Sequence, residues 1–286
     1  MESASGVLWI VATPIGTLAD LTPRAREVLA EADLILAEDT RRMKSLLSHL
    51  GMVAGERLHS LHEHNEAGMV PRVMAALANG SSVALVSDAG MPVLSDPGFL
   101  IVREARRAGL RVCSVPGSSA FTAALAASGL PPLPATLIGF LPRRQGPRRR
   151  RVSELVPLPW TLVVLLSPHR LAEELRDLAA GLGGNRSAVL LAELSKVHER
   201  AVSGSLSELA ACPEGASPRG EYVLVVGPPP EVVPGSEAEP SADVIRSAYR
   251  DAIAEGADRR ASLRQVAKAL GVSRREVFSA LVDEDA

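Results

Sequence analysis

Hydroxyls, carboxylates and glycines gather in one run of this 286-residue chain: Val83-Ala84-Leu85-Val86-Ser87-Asp88-Ala89-Gly90-Met91-Pro92-Val93-Leu94-Ser95-Asp96-Pro97-Gly98. An apolar stretch that runs into two glycines and two prolines sets bare backbone against a ligand in a fixed conformation. The loop spends about ten residues where a strand-to-helix connection usually takes two to six, and long ordered loops tend to carry function. Three other runs hold groups able to bind or move protons. Thr13-Pro14-Ile15-Gly16 follows an apolar stretch at once, and Glu38-Asp39-Thr40-Arg41-Arg42 sets two carboxylates beside two guanidiniums. Pro116-Gly117-Ser118-Ser119-Ala120 opens a run of small residues. Backbone N–H groups at such a helix start suit a carboxylate or phosphate, and a plain serine N-cap is equally compatible. The acidic and basic pairs of residues 38–42 fit either a ligand edge or a solvated helix start.

Some chemistries are excluded. No G-x-G-x-x-G or G-x-x-x-x-G-K-[ST] follows a strand, so nothing supports a bound dinucleotide or nucleoside triphosphate. His59, His62 and His64 lack zinc-ligand spacing and no cysteine joins them, so His62-Glu63-His64-Asn65-Glu66 reads as a polar loop at the substrate edge, without a metal.

The elements that must position these runs follow from periodicity. Apolar stretches at Val7–Ala12, Asp33–Ala37, Arg57–Leu61, Val83–Val86 and Leu110–Val115 alternate with helical stretches, which predicts a parallel α/β sheet over residues 6–115. Thr22-Pro23 starts the first helix with a cap and a first-turn proline. Gly129–Pro134 reads as a hinge. Beyond it, Ala135–Phe140, Trp160–Leu166, Ser187–Leu194 and Glu221–Val226 predict a second, mixed sheet. The expected domains are 1–116 and 117–228, with a Pro/Gly/Glu-rich linker at 229–241 and a tail at 242–286. In the tail, a helix over Ala242–Glu255 precedes Ser262 to Phe278, where Ala267 at a close crossing, Gly271 at a turn and Ser273 as a cap form a helix-turn-helix pattern.

Composition narrows the partners. With 47% hydrophobic and 22% charged residues the chain reads as a soluble globular protein, and an aromatic share of 3% leaves few rings for stacking on single-stranded nucleic acid. A net charge of −2 gives no global basic field. Arg143-Arg144-Gln145-Gly146-Pro147-Arg148-Arg149-Arg150-Arg151 is the local exception; six arginines in nine residues, placed between a strand and a helix, point to phosphate-backbone contact. Cys113 and Cys212 are too few for a disulfide framework, and no signal peptide or long apolar run is visible. The expectation is a reducing cytoplasm.

Taken in order and spacing, seven stretches resemble one family: Ile10–Leu18, Ala37–Arg41, His64-Asn65-Glu66, Ser87–Pro92, Asp96-Pro97-Gly98, Pro116–Ala120 and Gly139-Phe140-Leu141-Pro142. The chain is similar to the tetrapyrrole methylase superfamily, and within it to the branch that methylates a cytidine 2′-hydroxyl of 16S ribosomal RNA. The resemblance covers residues 7 to about 226, with the tail similar to that branch's C-terminal extension. It implies two α/β domains with S-adenosylmethionine held in the cleft between them, a homodimer, no metal, and 16S rRNA or the assembled 30S subunit as partner. By motif, Thr13, Pro14, Gly16, Asp88, Ala89, Gly90, Ser119 and Ala120 would line the cofactor pocket, closed by Leu165 or Leu166 and the segment around Ala192. Met91 stands where the branch usually has threonine, and Leu166 where it usually has glutamate.

Transfer to a ribose hydroxyl needs a group to take its proton. The candidates are Glu38 or Asp39, with His64, His169 and Lys196 behind them. Arg41, Arg42, Arg143, Arg144, Arg148 and Arg149 are the expected phosphate contacts. The competing expectations are a tetrapyrrole or protein methyltransferase on the same scaffold, and a helix-turn-helix regulator that senses a ligand.

Overall fold

The computed structural model describes residues 6–211, 220–230, 242–254, 258–270 and 272–282. Cys212, the linker positions 231–241, Glu255 and Gly271 of the turn lie outside the described residues.

Five parallel strands, β1 (Val7–Val11), β2 (Leu34–Ala37), β3 (Leu58–Ser60), β4 (Ser82–Val86) and β5 (Arg111–Val115), form the first sheet in the order β3-β2-β4-β1-β5. Between them run α1 (Pro23–Glu31), α2 (Thr40–His49), α3 (Glu66–Ala78) and α4 (Phe99–Arg107). The Thr22 hydroxyl accepts the Ala25 N–H at 3.1 Å, with Pro23 in the first turn as its fixed φ favours. Strand β4 has no polar face because both of its faces are covered. Ala84 and Val86 pack with α1 and α2, while Val83 and Leu85 pack with α3 and α4. β1 leads across β4 to β2, whereas β4 leads across β1 to β5, so the adjacent pair β4 and β1 is a topological switch point. The loops leaving this pair meet at once: Thr13 and Gly90 exchange backbone hydrogen bonds of 2.9 and 3.0 Å.

Helix α5 (Ala120–Ser128) leads into the second sheet: β6 (Ala135–Phe140), β7 (Thr161–Leu166), β8 (Ser187–Ala192), β9 (Arg200–Ser205) and β10 (Tyr222–Val226), in the order β6-β7-β10-β8-β9. The β6–β7 pair is parallel and the others are antiparallel. One face packs on α6 (Gln145–Leu155), α7 (Leu171–Leu182) and α8 (Leu206–Ala211), and the other on α5 together with Ile15 from the first loop. Two features depart from expectation. β9 and α8 were not anticipated, because Arg-Ala-Val-Ser-Gly-Ser is the polar sequence of an edge strand that buries little. The arginine run does not sit between elements; it forms much of α6 itself.

Both sheets belong to one compact unit, Met1–Pro229. The second unit, Pro230–Ala286, holds α9 (Ala242–Ala254), α10 (Arg259–Ala269) and α11 (Arg274–Val282) around Ile245, Ala252, Val266, Ala267, Val277 and Ala280. At the start of α11, the Ser273 N–H donates to the Glu276 carboxylate at 2.6 Å and the Glu276 N–H donates to the Ser273 hydroxyl at 3.2 Å, a reciprocal cap.

Candidate active site

Ile15 joins the two sheets. It leaves the first loop to pack with Ala124, Leu125, Val163, Leu191 and Val223. The clasp tightens beside it, where the Thr17 hydroxyl donates to the Ser195 carbonyl at 2.6 Å and the Ser195 hydroxyl donates to Asp20. Gly16 is required here, since a Cβ would lie 2.6 Å from the Ser195 backbone.

A cavity of about 310 Å³ opens against this joint. Asp88, Ala89 and Gly90 line it from the loop after β4, Ser119 and Ala120 from the start of α5, and Leu165 from β7. A second cavity of about 280 Å³ shares Ile15, Arg42, Asp88, Ala89 and Glu221 with the first. Thr13, Pro14 and Gly16 line it, together with His49 and Lys196. The expected cofactor residues from the first sheet and α5 are thereby brought together. Gly90 sits at φ +83°, where a Cβ would press on Ile15 at 3.3 Å.

Strand alternation decides the remaining cofactor candidates. Leu165 faces the cavity, but Leu166 packs with Leu162 and Val164 against α7, on the opposite face. Ala192 turns to that same face, while Leu191 and Leu194 lie on the cavity side. Leu166 and Ala192 are therefore core residues, a correction that the period of two makes unavoidable.

The Asp88 carboxylate accepts the Asp39 N–H at 3.0 Å and lies 3.6 Å from the Arg42 guanidinium. The expected proton acceptors fare unevenly. Asp39 caps α2, accepting the Arg41 N–H at 2.8 Å, and the Arg41 side-chain and backbone hydrogen bonds hold its carboxyl far below the usual range. Glu38 is exposed; partial burial of its carboxyl, then the charge of Asp88, raise its pKa. Neither lines either of these two cavities. His64 is exposed with its ring 6.0 Å from that of His62, and His169 is exposed in the turn before α7; both lie off the cavity walls. Lys196 does line the second cavity. Burial depresses its ammonium, but the hydrogen bond and charge of Glu193 at 2.9 Å and of Glu221 at 3.3 Å outweigh that and raise it. A lysine held in the charged form is an anion ligand rather than a base.

The arginines divide as well. Arg148 is 1% exposed, its guanidinium donating to Asp177 at 2.7 Å and Glu173 at 3.2 Å, so the expectation of a phosphate contact is corrected to a buried ion pair. Arg149 is exposed and shares Asp177 at 2.8 Å. Arg143 and Arg144 are exposed just before α6. Arg41 is 90% exposed and paired with Asp39, whereas Arg42 stands in both cavity walls.

Asp96 was missed as a reactive group, although it lies in the run the sequence singles out. It lines the first cavity. Burial first, then the charge of Glu38, push its carboxyl up to about 6; the Ser87 hydroxyl lowers it and the charge of Asp88 adds a smaller rise. His49, Glu221 and Tyr222 are further cavity residues that no sequence signal marked.

Apolar walls with a few convergent polar groups, at a volume near 300 Å³, suit a small organic ligand. A carboxylate beside glycine backbone fits a donor bearing a sulfonium and an ammonium. Among the described residues, no group of three or more His, Cys, Asp or Glu side chains could hold a metal ion. No described helix is long and apolar enough to cross a membrane.

This two-sheet architecture, with its cavity at a strand switch point, matches a known class: residues 7–210 fit the family described as Tetrapyrrole (Corrin/Porphyrin) Methylases. Ribosomal RNA small subunit methyltransferase I of Xylella fastidiosa is 48% identical over 227 residues, 78% of this chain and 82% of that protein. The protein of the same name from Mesorhizobium japonicum is 42% identical over 277 residues, 96% of this chain and 91% of its own. A crystal structure of diphthine synthase superposes with a TM-score of 0.62 at 19% identity, covering 78% of this chain and 90% of that one, a likeness of fold alone. The chain belongs to the tetrapyrrole methylase family, on the branch of the small subunit methyltransferase I proteins, and is a methyltransferase.

Proposed function

We propose that this chain transfers a methyl group from S-adenosylmethionine to the 2′-hydroxyl of a cytidine in 16S rRNA. The observation that carries the proposal is the pair of adjoining cavities at the joint of the two sheets, with Asp88 and Ala89 in the wall of both. A donor in the first and a ribose in the second would meet across that wall, and alignment of this kind supplies much of the rate of an in-line displacement. When bound, the donor supplies an electrophilic methyl carbon. The chain's own residues do the rest. Asp88 offers a carboxylate to the donor's cationic end, Gly90, Ser119 and Ala120 provide close backbone approach, and Leu165 closes the cavity from the second sheet. Arg42 and Lys196 present cations in the second cavity, suited to phosphate or polar groups of the acceptor. Arg143 and Arg144, with the exposed Arg41 and Arg149, extend that field outward.

The names of the relatives support rRNA over a tetrapyrrole or a protein residue as acceptor. On this reading the chain works in the cytoplasm on the 30S subunit, and the family resemblance adds a homodimer. The test is incubation of purified protein with methyl-labelled S-adenosylmethionine and small subunits lacking the modification. Label recovered in a 2′-O-methylcytidine nucleoside supports the function; label confined to protein, or absent, contradicts it.

A further inference from the structure

The loop from Met91 to Gly98 is held in an unusual conformation beside the cavity. Val93 and Ser95 both adopt positive φ, +75° and +73°, which side-chain-bearing residues rarely do. Such a conformation persists only where the surroundings impose it, and it concentrates at functional sites. The far end of this loop is fixed by Glu66, the last residue of the His64-Asn65-Glu66 motif. Buried at the start of α3, its carboxylate accepts the Gly98 N–H at 3.0 Å and the Leu100 N–H at 2.7 Å. Asn65 braces the same corner, accepting the His62 N–H at 2.8 Å and donating to the Ser60 carbonyl at 3.0 Å. Gly98 lies over Leu85 so closely that a Cβ would come within 2.5 Å of it. The Asp96-Pro97-Gly98 turn is thus pinned from behind, and Asp96 is left in the cavity wall.

Four carboxylates stand about this corner, and Glu221 among them pairs with Lys196 at 3.3 Å. Asp88 is engaged by the Asp39 N–H and Arg42, and Glu38 is exposed outside the cavity walls. The charged groups influencing or flanking Asp96 are Glu38 at the end of β2, Arg42 of α2, Asp88 of its own loop and Glu221 before β10.

Resting on the methyl-transfer function proposed above, we propose that Asp96 accepts the proton of the ribose hydroxyl as its oxygen crosses the shared wall to reach the methyl carbon in the first cavity, which Asp96 lines, and that Glu66 is the positioning residue that holds it there. The new bond joins the ribose oxygen to the methyl carbon as the sulfur–methyl bond breaks. The bonding pair stays on sulfur, leaving a neutral thioether, and the hydroxyl proton passes to the Asp96 carboxylate. Its raised pKa places that carboxylate closer to neutral pH than an ordinary aspartate, which makes it a better acceptor.

The experiment measures kcat for methylation of unmodified small subunits between about pH 5 and about pH 9, for the wild type, D96N and D96E, with donor binding followed by calorimetry. The wild type should lose rate below about pH 6, near the raised pKa of Asp96. D96N should lose about 10²- to 10⁴-fold in kcat at neutral pH and above, while its donor affinity changes only a few-fold. D96E should recover part of the rate with a displaced acid limb. E66Q should lower kcat and shift the limb while D96E-like activity remains. A D96N rate within about tenfold of wild type, or a wild-type profile flat through the acid range, overturns the assignment. If D96N fails to fold, the wild-type profile and D96E decide. A wild type that binds donor yet methylates no RNA removes the underlying function instead, so the two failures are told apart.

Discussion

The backbone N–H of Asp39 donates to the carboxylate of Asp88 at 3.0 Å, tying the segment after β2 to the loop after β4 beside the donor cavity. Asp39 thus organises the site through its main chain, while its own carboxylate is occupied with Arg41. Asp88→Asn keeps an oxygen that can accept this bond but removes the charge. The expected result is a loss of about 1–1.5 kcal/mol in donor binding, roughly tenfold in Kd. Asp39→Ala should lower thermal stability slightly by loss of the cap and leave kcat within a few-fold of wild type. Calorimetric titration with S-adenosylhomocysteine and a methylation assay check both; a dead Asp39→Ala with intact donor binding would restore Asp39 as a base.

Burial separates arginines that look alike in the sequence. Asp177→Ala leaves the buried Arg148 with the more exposed Glu173 as its remaining carboxylate partner among the described residues, and the expected cost is about 3–5 kcal/mol of stability. The double substitution Arg143→Ala and Arg144→Ala should change stability by no more than about 0.5 kcal/mol per site. It should weaken RNA binding and reduce the slope of log affinity against log salt by about 2. Denaturant unfolding and RNA titrations at several salt concentrations separate the two outcomes; an unchanged slope removes these arginines from the interface.

The parallel sheet was legible because β2 and β4 are continuous apolar runs ended by turn residues, and the loops that carry the cavity were legible as Gly/Pro segments after those runs. The family resemblance brought Thr13, Asp88, Gly90 and Ser119 together, and they do line the cavities. Three things were not legible. The face of β7 and β8 cannot be read when both faces are apolar, so Leu166 and Ala192 were placed in the cavity and belong to the core. The partner of Arg148 is Asp177, 29 positions away on another helix, which no local pattern announces. The state of Asp96 depends on its burial and on the charge of Glu38, from the segment after β2, which reaches it only in the folded chain.

Asp96 also sets a pH dependence of stability. Its folded pKa of about 6 lies above the unfolded value of about 4, so the folded chain binds this proton more tightly. Its stabilising contribution is full below the unfolded value and is lost as pH rises through about 6. Asp96→Asn, which cannot ionise, should therefore gain Tm relative to wild type as pH is raised from acid to mildly alkaline values. Scanning calorimetry across that range checks the sign; a Tm difference independent of pH contradicts the burial and charge environment assigned to this side chain.

The C-terminal unit carries Arg274 and Arg275 in the first turn of α11, fixed by the Ser273–Glu276 cap. If this helix contacts nucleic acid, replacing both arginines with alanine should raise KM for small subunits several-fold while kcat and donor affinity stay unchanged. Steady-state kinetics decide, and an unaltered KM assigns the unit to protein contacts or to stability alone.

The most direct measurement is a crystal structure of the chain with S-adenosylhomocysteine bound. The ligand should occupy the cavity between the sheets, touching Gly90, Ser119, Ala120 and Leu165, with its sulfur directed toward the wall shared with the second cavity. Density for the ligand anywhere else, with that cavity empty, would contradict the assignment of the donor site.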